Sequence, residues 1–382
     1  MIYLDYNATT PIDPDVLSTM TACFHDYFAN SASVSHHEGI KAYHHLEKCR
    51  ATVAQMIDAD PNHIIFNSGA SEANNTVIRA VVDYYKSQGT VHIITSSIEH
   101  KCLINICEHL KQHEDVEITY LPVDKSGKVC IQALKTALQP NTRLISVMAA
   151  NNETGALQPL QEISQIAHDH HILFHTDAAQ WIGKLPFSVK DIKPNFVSIS
   201  AHKFYGPKGV GVLYCNQPDI ILNSPLVHGG GQESGMRSGT ANLPGIAGMA
   251  KAAELFIALH EDNIAQQKQL KTYLLKKLRQ FFPHAIVNGC EKQSLPNTIN
   301  FSLPAVKSST LLKKLKMKVA LSSASACLSS EQKPSHVLTA MGLDDEISQS
   351  AIRLSFGNRT TLEDLDTALD LIYTTYERLK EH

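Results

Sequence analysis

The sequence has little net charge and no long apolar run. Its 34 lysines and arginines nearly balance 37 aspartates and glutamates, which leaves a formal charge of −3 over 382 residues. A chain this close to neutral lacks the basic surface that binds phosphate backbones or anionic membranes. No apolar run is long enough to cross a bilayer, and no arginine precedes Arg50, so there is no Arg-rich transit pattern. These absences argue against nucleic-acid and membrane partners and predict a cytoplasmic protein.

Paired cysteines and metal-ligand motifs are also missing. The eight cysteines are Cys23, Cys49, Cys102, Cys107, Cys130, Cys215, Cys290 and Cys327. No two form a C-x-x-C pair, and their spacing matches no disulfide framework. Several of the 20 histidines are adjacent, as at 36–37 and 44–45, and adjacent side chains point to different sides of an element. We therefore expect reduced thiols and no metal site.

Short apolar runs alternate with helix-length segments in the first two thirds of the chain. The runs that are typical of buried strands lie at 64–66, 91–95, 116–121, 144–148, 173–175, 196–199 and 211–214. Strands separated by helices in this way predict an α/β domain with a mainly parallel sheet. Functional sites in such sheets collect at the strand ends.

The last third of the chain has a different pattern. Between Pro244 and Pro283 the apolar residues keep helical spacing, which predicts a long helix or helix pair that bridges two domains. Residues 298–303, 318–322 and 351–355 then predict the strands of a smaller α+β domain. A helix over about 362–379 closes it.

Groups suited to cofactor chemistry follow three of the predicted strands. Lys203 lies in a turn after the strand at 196–199, where a Schiff-base lysine would be useful. Asp177 follows another strand, and its carboxylate suits a protonated pyridine nitrogen. Gln180, three residues on, suits a phenolic oxygen. The small residues at 68–72 open a helix, whose backbone N–H groups suit a phosphate. Their joint position at strand ends predicts a cofactor site.

Eight motifs give this chain a resemblance to a known family. They are YLDYNATTP at 3–11, SGASEANN at 68–75, EH at 99–100, NNETG at 151–155, DAAQ at 177–180, SAHK at 200–203, GGGQE at 229–233 and RSGT at 237–240. In this order they resemble the motif series of the NifS/IscS-type (group I) cysteine desulfurases, in the class V aminotransferase family. The resemblance covers nearly the whole chain.

The resemblance implies a fold and an assembly. The expected fold is α/β, the aspartate-aminotransferase-like fold type I of transferases that depend on pyridoxal 5'-phosphate. A large cofactor domain would span residues 15–258. Residues 1–14 and 259–382 would form the small domain. The family also implies a homodimer with its active sites at the interface.

The resemblance also implies individual roles. The catalytic residues would be Lys203, Cys327 and His100, with Lys203 carrying the cofactor as a Schiff base and His100 stacking on its ring and moving a proton. Cofactor binding would use Ala70, Ser71, Asn152, Asp177, Gln180, Ser200, His202, Lys203 and Thr240, the last of these reaching the phosphate from the other subunit. Asn152 and Arg353 would bind the substrate carboxylate, for which a planar guanidinium is suited.

Cys327 lies in a run of serine and alanine at 322–330. An isolated cysteine is usually a buried and inert residue. Serine and alanine supply little apolar area for burial, so this context favours an accessible thiol that carries sulfur. The segment resembles the catalytic loop of the NifS/IscS group. Ala324 stands where that family usually has glycine, which narrows the backbone conformations open to the loop.

The resemblance implies conversion of L-cysteine to L-alanine, with the sulfur held on Cys327 as a persulfide. An acceptor protein would collect it, and an iron–sulfur scaffold, a tRNA-thiolation relay and a DNA-sulfur-modification partner all stay open. A selenocysteine lyase or another class V aminotransferase-like enzyme would share Lys203, Asp177 and Gln180. An aminotransferase, however, has no need for Cys327. A cofactor-free sulfur relay is the non-enzymatic alternative, against which the intact catalytic set argues.

Overall fold

Helices and strands alternate along the computed structural model, which describes residues 1–323 and 334–381. The helices of these ranges are α1 (Pro14–Asp26), α2 (His37–Gln55), α3 (Ala70–Tyr85), α4 (Lys101–His113), α5 (Ile131–Ala137), α6 (Leu160–Asp169), α7 (Val189–Ile192), α8 (Pro218–Asn223), α9 (Leu243–Phe281), α10 (Ser308–Leu315), α11 (His336–Ala340), α12 (Asp345–Gln349) and α13 (Leu362–Lys380). Within the same ranges, no helix is both long and apolar enough to cross a membrane.

The strands form one large sheet and two smaller ones. They are β1 (Ile2–Tyr3), β2 (Ile64–Asn67), β3 (Val91–Ser96), β4 (Val116–Leu121), β5 (Thr142–Ser146), β6 (Leu173–Asp177), β7 (Phe196–Ser200), β8 (Gly211–Cys215), β9 (Ile286–Val287), β10 (Thr298–Ser302), β11 (Val319–Ala320), β12 (Ser322–Ser323) and β13 (Ala351–Ser355). The seven strands predicted in the first two thirds of the chain all form, within two residues of their predicted bounds.

The large sheet has seven strands in the order β2-β8-β7-β6-β5-β3-β4. Neighbours from β7 to β4 are parallel, while β8 runs antiparallel to both β7 and β2. Every residue of β2, β3, β7 and β8 is buried, as expected for strands covered on both faces. Because β2 is therefore parallel to β7, the carboxyl ends of β2, β3, β5, β6 and β7 meet at one edge of the sheet. The prediction of a mainly parallel α/β sheet is confirmed.

Helix α9 connects two hydrophobic cores. It is a single helix of 39 residues with Pro244 in its first turn, where proline is tolerated, and the Asn242 side chain caps it by accepting from the Gly245 N–H. Its residues up to Ile257 pack in the core around the large sheet. From Leu270 onward its residues pack in a second core with β10, β13 and α13. The core therefore changes between Ile257 and Leu270, and the exact boundary between residues 258 and 259 stays a prediction.

The second core carries a four-stranded antiparallel sheet in the order β12-β13-β10-β9. The single strand predicted at 318–322 was wrong, because the segment forms two strands with different partners. β11 pairs in parallel with β1, and β12 pairs with β13. A residue pattern shows that a segment is extended but not which strand it joins. The pairing of β1 with β11 places Ile2 and Tyr3 beside the second core, and the assignment of all of residues 1–14 to the small domain stays a prediction.

Candidate active site

A cavity of about 460 Å³ opens at the carboxyl edge of the large sheet. Its walls come from the start of α3, the residues around the start of α4, the ends of β6 and β7, and residues 8–9. The predicted site residues that line it are Ala70, Ser71, His100, Asn152, Asp177, Gln180, Ser200, His202 and Lys203. Residues from distant parts of the sequence therefore share one cavity because their strands end at the same edge.

Lys203 ends a 3-10 turn that directly follows β7. Its Nζ donates to the carbonyl oxygens of Asn7 at 2.6 Å and Ala8 at 2.9 Å. Desolvation first, and then the positive charge of Arg353, lower the pKa of Lys203 to about 8. The amine is therefore partly unprotonated near neutral pH and able to act as a nucleophile or base.

Asp177 is the last residue of β6 and is 5% exposed. One carboxylate oxygen accepts from Asn74 Nδ2 at 2.7 Å, and the other accepts from the Ala179 backbone N–H at 2.9 Å. Two donors on two oxygens fix the plane of the carboxylate. The group is thereby oriented before any ligand reaches it.

Gln180 is held by a buried lysine. Lys184 Nζ donates to Gln180 Oε1 at 2.7 Å and to its backbone oxygen at 3.0 Å. Gln180 Nε2 donates to the Asn7 carbonyl at 2.9 Å. Lys184 donates, so the amide atom of Gln180 that faces it must be the oxygen. The NH2 group of Gln180 therefore points toward Asn7 and the cavity.

The N-terminus of α3 forms the anion-binding end of the cavity. Gly69 precedes the helix with φ of 145°, and no side chain of residues 1–323 and 334–381 caps this end. A Cβ at Gly69 would lie 3.3 Å from Ser200 Oγ, so glycine suits both the backbone angle and the close approach. The first turn of a 16-residue helix with backbone N–H groups at its start is a favourable place for a phosphate.

His202 and Lys208 add to this end of the cavity. His202 Nδ1 lies 3.1 Å from Thr9 Oγ1. Desolvation and then the charges of Lys203 and Lys208 lower the pKa of His202 to about 4. His202 is therefore neutral at physiological pH and acts as a hydrogen-bonding group rather than a charge.

His100 is the N-cap of α4. Its Nδ1 accepts from the Cys102 backbone N–H at 3.3 Å and lies 3.0 Å from Cys102 Sγ. The ring is exposed to the open cavity, but the protein around it lowers its pKa by desolvation. The turn before it is anchored by Glu99, a buried carboxyl that accepts from Ser96 Oγ at 2.5 Å and from the Met148 N–H at 2.9 Å.

Arg353 lies on β13 and does not line the cavity, but it contacts a residue that does. Its Nη1 donates to the Asn152 carbonyl at 2.9 Å, and its Nη2 pairs with Asp5 Oδ1 at 2.6 Å. Its Nε is buried and has no hydrogen-bond partner among the described residues. A buried unpartnered donor is costly, so this guanidinium still has capacity for an acidic ligand.

The comparisons with known proteins agree along the whole chain. Residues 2–368 match the family model described as aminotransferase class-V. The mitochondrial cysteine desulfurase of Arabidopsis thaliana is 43% identical over 380 residues, which cover 100% of this chain and 83% of that protein. The chain belongs to the cysteine desulfurases of aminotransferase class V.

Solved structures of the family share the fold. A NifS-like protein matches with a TM-score of 0.90 and 36% identity over 99% of each chain. SspA in complex with cysteine matches with a TM-score of 0.81 and 36% identity, covering 94% of this chain and 100% of that one. The predicted aspartate-aminotransferase-like α/β fold is confirmed.

Membership of the family implies an enzyme that depends on pyridoxal phosphate, and the cavity fits that group. The cofactor has an anionic phosphate, a pyridine nitrogen and an aldehyde. The uncapped start of α3, the oriented carboxylate of Asp177 and the amine of Lys203 offer a matching partner for each. Glycine at position 69 leaves the phosphate end open.

Thr240 lies outside this cavity in its own chain. It lines a second cavity of about 490 Å³ together with Arg50, Glu233 and Arg237. The two cavities share Ser68 and Gly209 in their walls. The expectation that Thr240 serves the phosphate from the other subunit stays a prediction.

Cys327 and Ala324 lie outside the described residues, but both flanks of their segment have contacts. Before it, Ser322 is paired with Arg353 in the small sheet. After it, Ser335 Oγ donates to Glu153 Oε2 at 2.5 Å, and His336 Nε2 lies 3.0 Å from the carbonyl oxygen of Glu99, the residue before His100. The two flanks therefore meet the protein beside predicted site residues.

The sequence prediction missed residues that hold the site residues in place. Asn74, Lys184 and Cys102 each contact a predicted residue, and the Asn7 carbonyl accepts from both Gln180 and Lys203. Asn74 and Asn7 fall inside two of the family motifs, and this membership was the one signal in the sequence that they belong to the site. Nothing in the residue pattern distinguishes Lys184 or Cys102 from ordinary core or surface residues.

Proposed function

We propose that this chain is a pyridoxal-phosphate-dependent cysteine desulfurase, which converts L-cysteine to L-alanine and keeps the sulfur on Cys327 as a persulfide. The observation that carries the proposal is that Lys203, Asp177 and His100 face one cavity in a chain of this family. Both described flanks of the Cys327 segment contact the protein near that cavity. An aminotransferase would have no use for that thiol.

Seven residues would hold the cofactor. When bound, pyridoxal phosphate supplies an aldehyde for an amine and a ring that accepts electrons. Lys203 Nζ would hold the aldehyde carbon. Asp177, oriented by Asn74, would keep the pyridine nitrogen protonated, and Gln180 Nε2 would donate to the phenolic oxygen. Ser200 and the start of α3, at Ala70 and Ser71, would bind the phosphate together with the neutral ring of His202.

Lys203 would also remove the proton from the substrate Cα. A lysine with its usual pKa near 10.4 is almost fully protonated at pH 7, whereas a pKa of about 8 leaves a usable fraction of free amine. The Asn7 and Ala8 carbonyls hold Nζ in place through its hydrogens and leave its lone pair free for the proton. The same group therefore serves as an attachment point and as a base.

Arg353 and Asn152 would bind the substrate carboxylate. Within the described part of the chain, Arg353 has one buried N–H without a partner and one group paired with Asp5. A carboxylate that approached Nε and Nη2 would make the bidentate contact for which arginine is suited, in place of Asp5. The contact of Nη1 with the Asn152 carbonyl would keep the two residues together.

Cys327 would then take the sulfur. Its thiolate attacks the substrate sulfur, an S–S bond forms, the C–S bond breaks, and the electron pair stays with the carbon fragment, which gains protons and leaves as alanine. His100 would donate a hydrogen bond from Nε2 to the substrate sulfur, since its Nδ1 already accepts from Cys102. An acceptor protein would finally collect the sulfur.

We further propose a homodimer in the cytoplasm. The exposed large apolar residues on and between α1 and α2 are Leu17, Phe24, Phe28, Val34, Ile40 and Tyr43. Clustered exposure of this kind marks an interaction surface. A second copy on this side would also bring its Thr240 toward the phosphate end, in line with the walls that the two cavities share. Sedimentation of the intact protein as a monomer at micromolar concentration would contradict this part.

The main test replaces the proposed sulfur carrier. Cys327→Ala should still bind the cofactor and change its visible spectrum when L-cysteine is added, since those steps use Lys203, Asp177 and the carboxylate site. Alanine formation should fall by about 10³-fold, because the attacking nucleophile is gone. Cys130→Ala, which removes an exposed cysteine, is the matched control and should behave as the parent protein.

Mass spectrometry after a single turnover should find the persulfide on the peptide that contains Cys327. Release of alanine and sulfide at the parent rate by Cys327→Ala would reject the desulfurase proposal and favour a lyase. Absence of any cofactor absorbance in the parent protein would instead favour a cofactor-free sulfur relay.

A further inference from the structure

Cys102 lies in the wall of the cavity, and the proposed reaction gives it no role. The residue is half-buried. Its Sγ is 3.0 Å from His100 Nδ1, and Asn74 Nδ2 donates to it at 3.2 Å. Asn74 Nδ2 also donates to Asp177 Oδ2 at 2.7 Å. A continuous set of hydrogen bonds therefore joins the carboxylate beneath the proposed pyridine site to the imidazole of His100.

The directions of these hydrogen bonds follow from the groups involved. His100 Nδ1 caps α4 by accepting the Cys102 backbone N–H, so in the neutral ring the hydrogen is on Nε2. With no hydrogen on Nδ1, the short contact to Sγ requires the thiol to donate. Asn74 can only donate through Nδ2, so the sulfur accepts from it. The order is Asn74 to Cys102 to His100.

The protonation state of the Cys102 thiol agrees with its donating a hydrogen bond to His100. Desolvation, followed by the negative charge of Asp177, raises the pKa of Cys102 to about 11. The thiol is therefore protonated at physiological pH and has a hydrogen to donate. Since the thiolate is the reactive form of cysteine, Cys102 is also a poor sulfur acceptor, in contrast to the role proposed for Cys327.

We propose that Cys102 is a positioning residue for His100, whose thiol holds the imidazole as the neutral tautomer with its hydrogen on Nε2, facing the substrate side of the cavity. The proposal rests on the proposed function, in which His100 donates a hydrogen bond to the substrate sulfur. Protonation of Nδ1 would break both the thiol contact and the helix cap. Cys102 therefore opposes formation of the imidazolium ion and keeps the Nε2 hydrogen available to the substrate sulfur.

Other charged groups around His100 do not replace this contact. Asp177 favours the charged ring, whereas Lys203 and Lys101 disfavour it. His336 from α11 also lies close enough to interact electrostatically with His100. All of these act through space and leave the choice of tautomer open. Among the described residues, Nδ1 is seen to contact only the backbone N–H and the S–H group of Cys102. A substitution of the Cys102 side chain removes the S–H contact and keeps the backbone N–H contact.

The test compares Cys102→Ala with Cys102→Ser in the full-length protein loaded with pyridoxal phosphate. Alanine removes the donor but keeps the backbone N–H, so the kcat for alanine formation should fall about three- to tenfold, as expected for loss of one weak hydrogen bond. The His100 pKa should rise, so the acidic limb of the pH–rate profile should move to higher pH. Serine restores a donor and should return the limb toward that of the parent protein.

A double-mutant cycle separates positioning from a general structural effect. In a His100→Ala background, Cys102→Ala should have no further effect on kcat, because its action runs through the imidazole. The visible band of the bound cofactor and the thermal unfolding midpoint should stay near their parent values in both Cys102 variants. Cys130→Ala serves as the cysteine control.

Three outcomes would overturn the proposal: parent-like kinetics and pH profile in Cys102→Ala, a full effect of that change in the His100→Ala background, or a persulfide on Cys102 after one turnover. Each of these assumes that the parent protein makes alanine from L-cysteine. If the parent protein makes none, the proposed function fails instead, so the two failures are distinguishable.

Discussion

The two ends of the candidate site are built differently. At the cofactor end, Asp177, Gln180 and Lys203 come from turns and strands at one edge of one sheet, and each is already held by hydrogen bonds. At the carboxylate end, Arg353 comes from the second core. Among residues 1–323 and 334–381, its Nε has no hydrogen-bond partner and its Nη2 forms an ion pair with Asp5.

This difference indicates where the site is preorganised and where it adjusts. Groups on one sheet edge are fixed by the same backbone ladder, so little reorganisation is needed when the cofactor binds. Groups from two cores depend on how those cores approach each other. Changes at the cofactor end should therefore abolish the chemistry, while changes at the carboxylate end should mainly weaken binding of the substrate.

The largest effect is expected for Lys203→Ala, which removes the proposed attachment point and base together. Turnover should fall by about 10⁴-fold or more, as is typical when a covalent catalyst is lost. The visible cofactor band that borohydride would otherwise fix to the chain should also disappear. Lys190→Ala, which removes an exposed lysine on α7 that does not line the cavity, should keep both band and attachment. Peptide mapping that found the reduced cofactor on Lys208 in the parent protein would reverse the assignment.

Asp177→Asn should rank second. An amide keeps the shape but cannot hold a pyridine nitrogen protonated, and its NH2 group would face one of the two donors that now contact the carboxylate. Cofactor should stay bound while proton removal slows by about 10²- to 10³-fold. Rapid-mixing spectroscopy with L-cysteine measures that step. Asp366→Asn, at a surface contact with Tyr273 and Lys277, is the control; equal rates in the two variants would remove Asp177 from the mechanism.

Arg353→Lys tests the carboxylate end. Lysine keeps the charge but cannot make the bidentate contact, so KM for L-cysteine should rise by about 10- to 100-fold while the cofactor band is unchanged. Steady-state kinetics over a wide range of L-cysteine concentrations give the separate constants. Arg279→Lys at the exposed pair with Glu291 should leave KM unaltered. A loss of kcat with constant KM would show that Arg353 belongs functionally with the cofactor end.

The smallest effect concerns pH and the Lys203 amine. Burial lowers its pKa to about 8, and only the unprotonated amine reacts with an aldehyde. The rate at which apoprotein takes up pyridoxal phosphate should therefore increase as pH rises from 7 and level off above about 8. The total change should be roughly tenfold, since one pH unit below the pKa leaves about a tenth of the amine free. A rate that kept rising to pH 10 would indicate an ordinary, solvated lysine.

The sequence was sufficient for the large sheet because its strands are buried on both faces. Apolar runs such as Val91–Ser96 and Phe196–Ser200 leave few alternatives to a buried strand. The same pattern failed at 318–322, where one extended segment serves two sheets. The strands that β11 and β12 pair with are β1 and β13, and the residues at 318–322 do not encode which partner each strand takes.

Within the candidate site, the sequence predicted mainly the residues that lie in family motifs or at strand ends. Lys203 and Asp177 could be named because they follow strands directly. Asn74 and Cys102 could not be given roles, because their contacts join α3, α4 and β6 over separations of 28 and 103 residues. Such contacts arise from the packing of elements and leave no local trace in the residue pattern.

The pairing of β1 with β11 has a consequence for synthesis of the chain. Ile2 and Tyr3 find their partners only at Val319 and Ala320. A ribosome that adds about 5–20 residues per second exposes residue 319 roughly 15 to 60 s after residue 2. During that interval the segment of Asn7 and Ala8 contacts the Lys203 turn through Thr10, but it still lacks its anchors at Val319, Ala320 and Ser355. Assembly of a cofactor-ready lysine is therefore a late event, which follows rather than accompanies translation of the large sheet.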